Sequence, residues 1–181
     1  MSDELALRQA LPADLVTLLA EFPRMQWERD PAFGGLPAFW LDRHLAFRRL
    51  LASLSAEAER MADRNSDAQK WKAHLSRLGS HLLQDLTGHH QIEDHAYFPR
   101  MVALEPAMAR GFALLDHDHH ALDHLLNGFV TAANRALTAE DAAAEAGRLR
   151  DFLTGFDHQL VRHLEDEEDL IIPVVLKHRM G

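Results

Sequence analysis

Apolar residues recur at spacings of three and four along most of the chain, and four long stretches carry the pattern. Trp40, Phe47, Leu51 and Leu54 share a face in the first, and Leu75, Leu78, Leu82 and Leu86 in the second. In the third the face holds Leu115, Leu122, Leu126 and Phe129; in the fourth it holds Leu149, Phe152, Phe156, Leu160 and Leu170. A stripe of this period is what a helix buries. Abundant Ala, Leu, Glu and Arg favour helix as well. The predicted helices cover roughly 37–62, 68–104, 106–137 and 138–178, with Thr138 as the expected N-cap of the last. Pro99 and Pro173 are expected to kink or end the helices that contain them. Short connections between long helices predict antiparallel neighbours, so the expected fold is all-α, an up-down antiparallel four-helix bundle. Residues 1–36 are set apart as an N-terminal extension, with a short helix near 13–22 and an irregular stretch rich in Pro and Gly. The bundle takes 37–181.

The same stripes carry polar residues. His44 lies on the first, His89 and Glu93 on the second, His119 on the third, and His163 and Glu167 on the fourth. An internal repeat ties them together. A shift of 74 residues lays Leu75, Leu82 and Leu86 on Leu149, Phe156 and Leu160, and lays His89, Glu93 and Pro99 on His163, Glu167 and Pro173. Two similar helical hairpins related by an approximate twofold are the expected result.

Composition narrows the chemistry. The chain has no Cys, which removes disulfides, thiolate chemistry and cysteine-ligated clusters. Its net charge of -9 argues against nucleic acid and anionic membranes as partners. No run of apolar residues is long enough for a membrane span. The N-terminus lacks the basic start and apolar block of a secretion signal, so a cytoplasmic protein is expected. Histidine is the outlier, at 13 of 181 residues. His74, His81, His95, His117, His120, His124, His158 and His178 fall off the stripes and are expected at the surface. His90, adjacent to His89, is open to two readings: an extra ligand, or a group behind one.

Energetics favour a cation for the six inward residues. An ionised carboxylate in an apolar core costs several kcal/mol unless it is paired or binds metal. Two carboxylates with four imidazoles form an ordinary nitrogen/oxygen site for a transition metal. His89 and Glu93 are one turn apart, about 6 Å along the axis, so the pair can serve two ions. There is no His-Glu-x-x-His and no Glu-x-x-His anywhere, which excludes the zincin and ferritin-like patterns.

The motifs "DRH" ending at His44, "HHQIEDHAYFP" at 89–99, "HDHHALDHLL" around His119 and "HLEDEEDLIIP" at 163–173 resemble the hemerythrin-like (HHE cation-binding) family. The resemblance covers about 37–178. It implies a four-helix bundle around two non-haem iron ions, bridged by Glu93 and Glu167, with His44, His89, His119 and His163 as terminal ligands. Nickel or zinc are expected to be able to replace iron. Two departures stand out. Leu115 occupies the place where oxygen-carrying hemerythrins have a second histidine, one turn before the third-helix ligand. Glu167 lies four residues past its histidine, in place of the usual aspartate at five. The resemblance therefore implies a di-iron protein that binds dioxygen or a related small molecule for sensing, storage or scavenging. The alternatives are a di-iron oxidoreductase of ferroxidase or peroxidase type, in which Tyr97 would be an acid/base candidate, and an iron-handling regulatory module with an unknown protein partner.

Overall fold

The computed structural model describes residues 4–180, and every regular element among them is helical. The α-helices are α1 (Thr17–Glu21), α2 (Leu36–Ala62), α3 (Ala68–Ile92), α4 (Phe98–Leu104), α5 (Ala109–Thr138) and α6 (Ala142–His178). Short 3-10 helices occupy Leu5–Leu7, Arg24–Arg29 and Pro106–Met108.

The helix boundaries follow local chemistry. Asp67 caps α3 by accepting the Lys70 backbone N–H at 2.8 Å. Asp141 caps α6 by accepting from the Ala144 N–H at 3.2 Å. Thr138, the expected cap, is instead the last residue of α5. Its hydroxyl donates back to the Asn134 carbonyl at 2.9 Å, the bond a threonine makes inside a helix. The helix expected near 13–22 shrinks to Thr17–Glu21, with no side-chain cap at its start and Pro23 just beyond its end.

The prolines do not end their helices. Pro173 lies inside α6, which continues to His178. Pro99 is the second residue of α4, and Glu93–Tyr97 before it form a π-helical turn that joins α3 to α4 without a break. A proline cannot accept the α-helical bond pattern behind it. A wider turn is one way for the chain to absorb that loss.

The Cα positions group into two compact units, each drawing on all four long helices. Among the described residues one unit takes 4–45, 90–120 and 161–180, and the other takes 46–89 and 121–160. In the second unit Phe47, Leu51, Leu82, Leu86, Leu122, Phe129, Leu149, Phe156 and Leu160 are buried. A Cβ on Gly79 would lie 3.0 Å from the Phe129 ring, a close approach that a larger residue would disturb. In the first unit the core joins α-helical residues such as Trp40, Phe112, Leu115, Leu170 and Ile171 to Leu11, Leu15, Leu18 and Trp27 of the N-terminal segment. That segment thus contributes to the core rather than trailing from it. No helix among the described residues is long and apolar enough to cross a membrane.

Candidate metal centre

In the first unit ten polar side chains are buried or nearly so, and most are acids or histidines. They are His44 of α2, His90 of α3, Glu93 of the π turn, Asp118 and His119 of α5, and His163, Asp166, Glu167 and Glu168 of α6, with Arg8 from the N-terminal segment. The helical phase explains the α6 group. Glu165 to Asp169 are five consecutive acids, and successive residues turn by about 100° on a helix, so some must face inward.

Three imidazoles share one arrangement. Nδ1 of His44 lies 3.1 Å from Glu168, Nδ1 of His119 lies 2.7 Å from Asp94, and Nδ1 of His163 lies 3.5 Å from Asp118. Their Nε2 atoms turn toward Glu167, at 3.4 Å for His44, 3.8 Å for His119 and 3.4 Å for His163. Nε2 of His119 is also 3.7 Å from Glu93. At His44 and His119 the carboxylate holds the ring through Nδ1 and turns Nε2 toward the carboxylate cluster.

His90 answers the question left open by its neighbour. It is buried, its ring stacks on His119 with centroids 4.1 Å apart, and it meets His163 edge-on at 5.6 Å. One ligand-capable atom from each of His90, His119 and His163 lies within 4.8 Å of the others. The same spacing holds for His44, Glu93 and Glu167. Five of the six residues expected from the sequence therefore fall into these two groups, and His90 is added; His89 belongs to the second unit. His89 is only half-buried, with its ring 5.1 Å from Phe47, whereas its repeat partner His163 is fully buried.

The electrostatics are those of a cation site. Burial, then the facing charge of Glu167, hold the Glu93 carboxyl well above the ordinary range, against a smaller opposing effect of the Trp40 indole. Burial would lower His119, but Asp94 and Glu167 outweigh it and raise the imidazole to about 9. Nε2 of His119 and both ring nitrogens of His163 are buried without a hydrogen bond among the described residues. Native cores rarely leave such atoms unsatisfied. Imidazole nitrogens and carboxylate oxygens converging on one buried place fit a transition metal.

The remaining histidines follow expectation with one exception. His74, His81, His95, His117, His120, His124 and His158 are exposed. His178 is half-buried and lies 3.1 Å from Glu105, which also pairs with Lys177 at 2.6 Å. Tyr97 packs edge-on against Trp40 with centroids 4.7 Å apart. Leu115 is fully buried one turn before His119.

Residues that spacing did not single out stand behind the imidazoles. Asp94, Asp118 and Glu168 each neighbour an expected ligand in sequence, and each serves a histidine from a different helix. Arg8 and Arg24, from the segment set apart at 1–36, pair with Asp118 and Glu168.

The family model described as hemerythrin HHE cation binding domain matches residues 18–175. No curated protein and no solved structure matches the chain.

Proposed function

The chain belongs to the hemerythrin HHE cation-binding family, and from that premise we propose that it is a binuclear non-haem iron protein for a small ligand. The ions, when bound, supply reversible binding of dioxygen or a related small molecule, for sensing, storage or scavenging. The observation that carries this reading is the orientation of the three imidazoles, each with Nδ1 at a carboxylate and Nε2 turned to Glu167.

The chain's own residues divide the work. Glu93 and Glu167 each offer two oxygens, enough for one carboxylate to serve two ions. His44, His89, His119 and His163 would be the imidazoles that hold the ions, with His90 beside His119 and His163. Glu168 and Asp94 hold the Nδ1 side of His44 and His119 and so keep Nε2 turned to the cluster, and Asp118 stands beside Nδ1 of His163. Phe98, whose ring lies 5.6 Å from His119, and Leu115 give the place an apolar wall against bulk water.

Leu115 also sets this chain apart from an oxygen carrier with a histidine there. An apolar side chain at that place leaves more room for an exogenous ligand. The test is an optical titration of the iron-loaded protein with azide. A saturable visible band that reverses on dialysis supports the reading. Absence of any azide response overturns it, and rapid turnover of peroxide without a reversible complex would replace it by the oxidoreductase reading.

A further inference from the structure

Two arginines of the N-terminal segment reach the acids that hold candidate ligand histidines, along two separate routes. Arg8 is 2% exposed although it lies near the start of the chain. Its Nε donates to Asp166 at 2.8 Å, its Nη1 donates to Asp118 at 3.2 Å, and its Nη2 pairs with the other Asp118 oxygen. Both aspartates are fully buried, and Asp118 stands 3.5 Å from Nδ1 of His163. Arg24 donates through Nη1 to Glu168 at 2.9 Å, through Nε to Asp169 at 2.6 Å and through Nη2 to the Glu165 carbonyl at 2.9 Å. The other oxygen of Glu168 lies 3.1 Å from Nδ1 of His44.

A guanidinium grips a carboxylate with a planar fork and fixes its orientation, which a lysine cannot do. The fork of Arg8 engages both oxygens of Asp118, so it sets where the Asp118 charge stands beside Nδ1 of His163. Arg24 holds one oxygen of Glu168 through Nη1, with its Nε on the neighbouring Asp169, and so leaves the other Glu168 oxygen facing His44. Burial of Arg8 among Asp118 and Asp166 is a poor way to gain stability alone, because desolvation of three charges offsets their attraction. It is a good way to hold one geometry.

We propose that Arg8 and Arg24 are positioning residues of the metal centre, and that docking of the N-terminal segment and metal binding are coupled. Whatever favours one favours the other by the same factor, because coupling between two equilibria is reciprocal. The segment is therefore part of the site and its loading sensor. This inference rests on reading the histidine–carboxylate cluster as a metal centre.

The experiment uses the full chain stripped of metal, with zinc as the probe, titrated against a competing chelator. Amide hydrogen exchange of residues 4–30 is followed with and without zinc. Zinc is expected to slow exchange in the segment of the unaltered protein. Arg8→Met is expected to weaken zinc binding roughly tenfold and to abolish that slowing. Arg8→Lys should recover only part of the affinity. The double variant Arg8→Met/Asp118→Asn removes the stranded buried charge, so it should regain stability without regaining zinc affinity. Should Arg8→Met not fold, Arg24→Met carries the test, because Arg24 is largely at the surface: weaker zinc binding with unchanged melting of the stripped protein is expected. Recovery of full zinc affinity in the double variant would make Arg8 a structural anchor only, and unchanged affinity in Arg8→Met or Arg24→Met would overturn the coupling. Failure of the unaltered protein to bind zinc or iron would instead remove the metal-centre reading itself, and the inference with it.

Discussion

Oδ1 of Asp94 stands 2.7 Å from Nδ1 of His119, and this contact decides which nitrogen of the ring is left for chemistry. Glu93, the adjacent residue, approaches the opposite nitrogen of the same ring at 3.7 Å. Two consecutive acids of one π turn thus face the two ends of a single imidazole.

Asp94→Asn should separate these roles. The variant keeps the side-chain shape and loses the charge at Nδ1. In the metal-free protein the imidazole of His119 should fall from about 9 toward its ordinary 6.5, as read by NMR titration of the ring. Metal affinity should drop by roughly 10–100-fold, the usual cost of losing a carboxylate behind a ligand histidine. An unshifted ring titration would contradict the assignment of Asp94 as its partner.

Metal binding should release protons and strengthen with pH. His119 at about 9 carries a proton at neutral pH in the metal-free protein, and that proton must leave before Nε2 is free to bind. Zinc affinity is therefore expected to rise between pH 6.5 and about 9. The check is zinc titration at several pH values with proton release measured in two buffers. Affinity independent of pH over that window would count against this picture.

The stripped protein should show the reverse trend in stability. Both Glu93 and His119 are raised in the folded state, so each contributes stability at low pH that is lost as pH rises. For Glu93 the loss begins above the ordinary carboxylate value near about 4.3. For His119 it runs from about 6.5 to about 9. Melting temperatures of stripped and loaded protein should therefore diverge as pH rises from 5 to 9. A constant gap would show that these two groups do not govern the difference.

Glu167→Gln should act in opposite directions on the two forms. Glu167 faces Glu93 and lies near three imidazoles, so neutralising it relieves a buried carboxylate pair. The stripped variant should melt no lower than the stripped parent at neutral pH. Its metal loading should fall by at least one ion per chain, as measured by elemental analysis. Lower stability of the stripped variant, with loading intact, would assign Glu167 a purely structural part.

Much of the candidate centre was legible because a helix writes its buried face at spacings of three and four. His44, Glu93, His119, His163 and Glu167 interrupt leucine stripes in phase, and all five are buried. The repeat favours His89 over His90, yet both stand on the inner side, at three and four residues past Leu86. Only packing separates them, and it buries His90 more deeply. Arg8 was not legible, since its partners Asp118 and Asp166 are 110 and 158 residues away and its segment has no helical period. The run of five acids at 165–169 was a usable signal, because acids all round a partly buried helix require cations from elsewhere. The π turn was not expected, although Pro99 marked the stretch where α-helical bonding had to change.

The count of iron ions per chain tests the central reading most directly. Protein stripped, reconstituted with ferrous iron under anaerobic conditions and desalted should hold two irons by elemental analysis, since two buried carboxylates and two groups of imidazoles are in place for them. One iron per chain, or none retained, would contradict a binuclear centre built on Glu93 and Glu167.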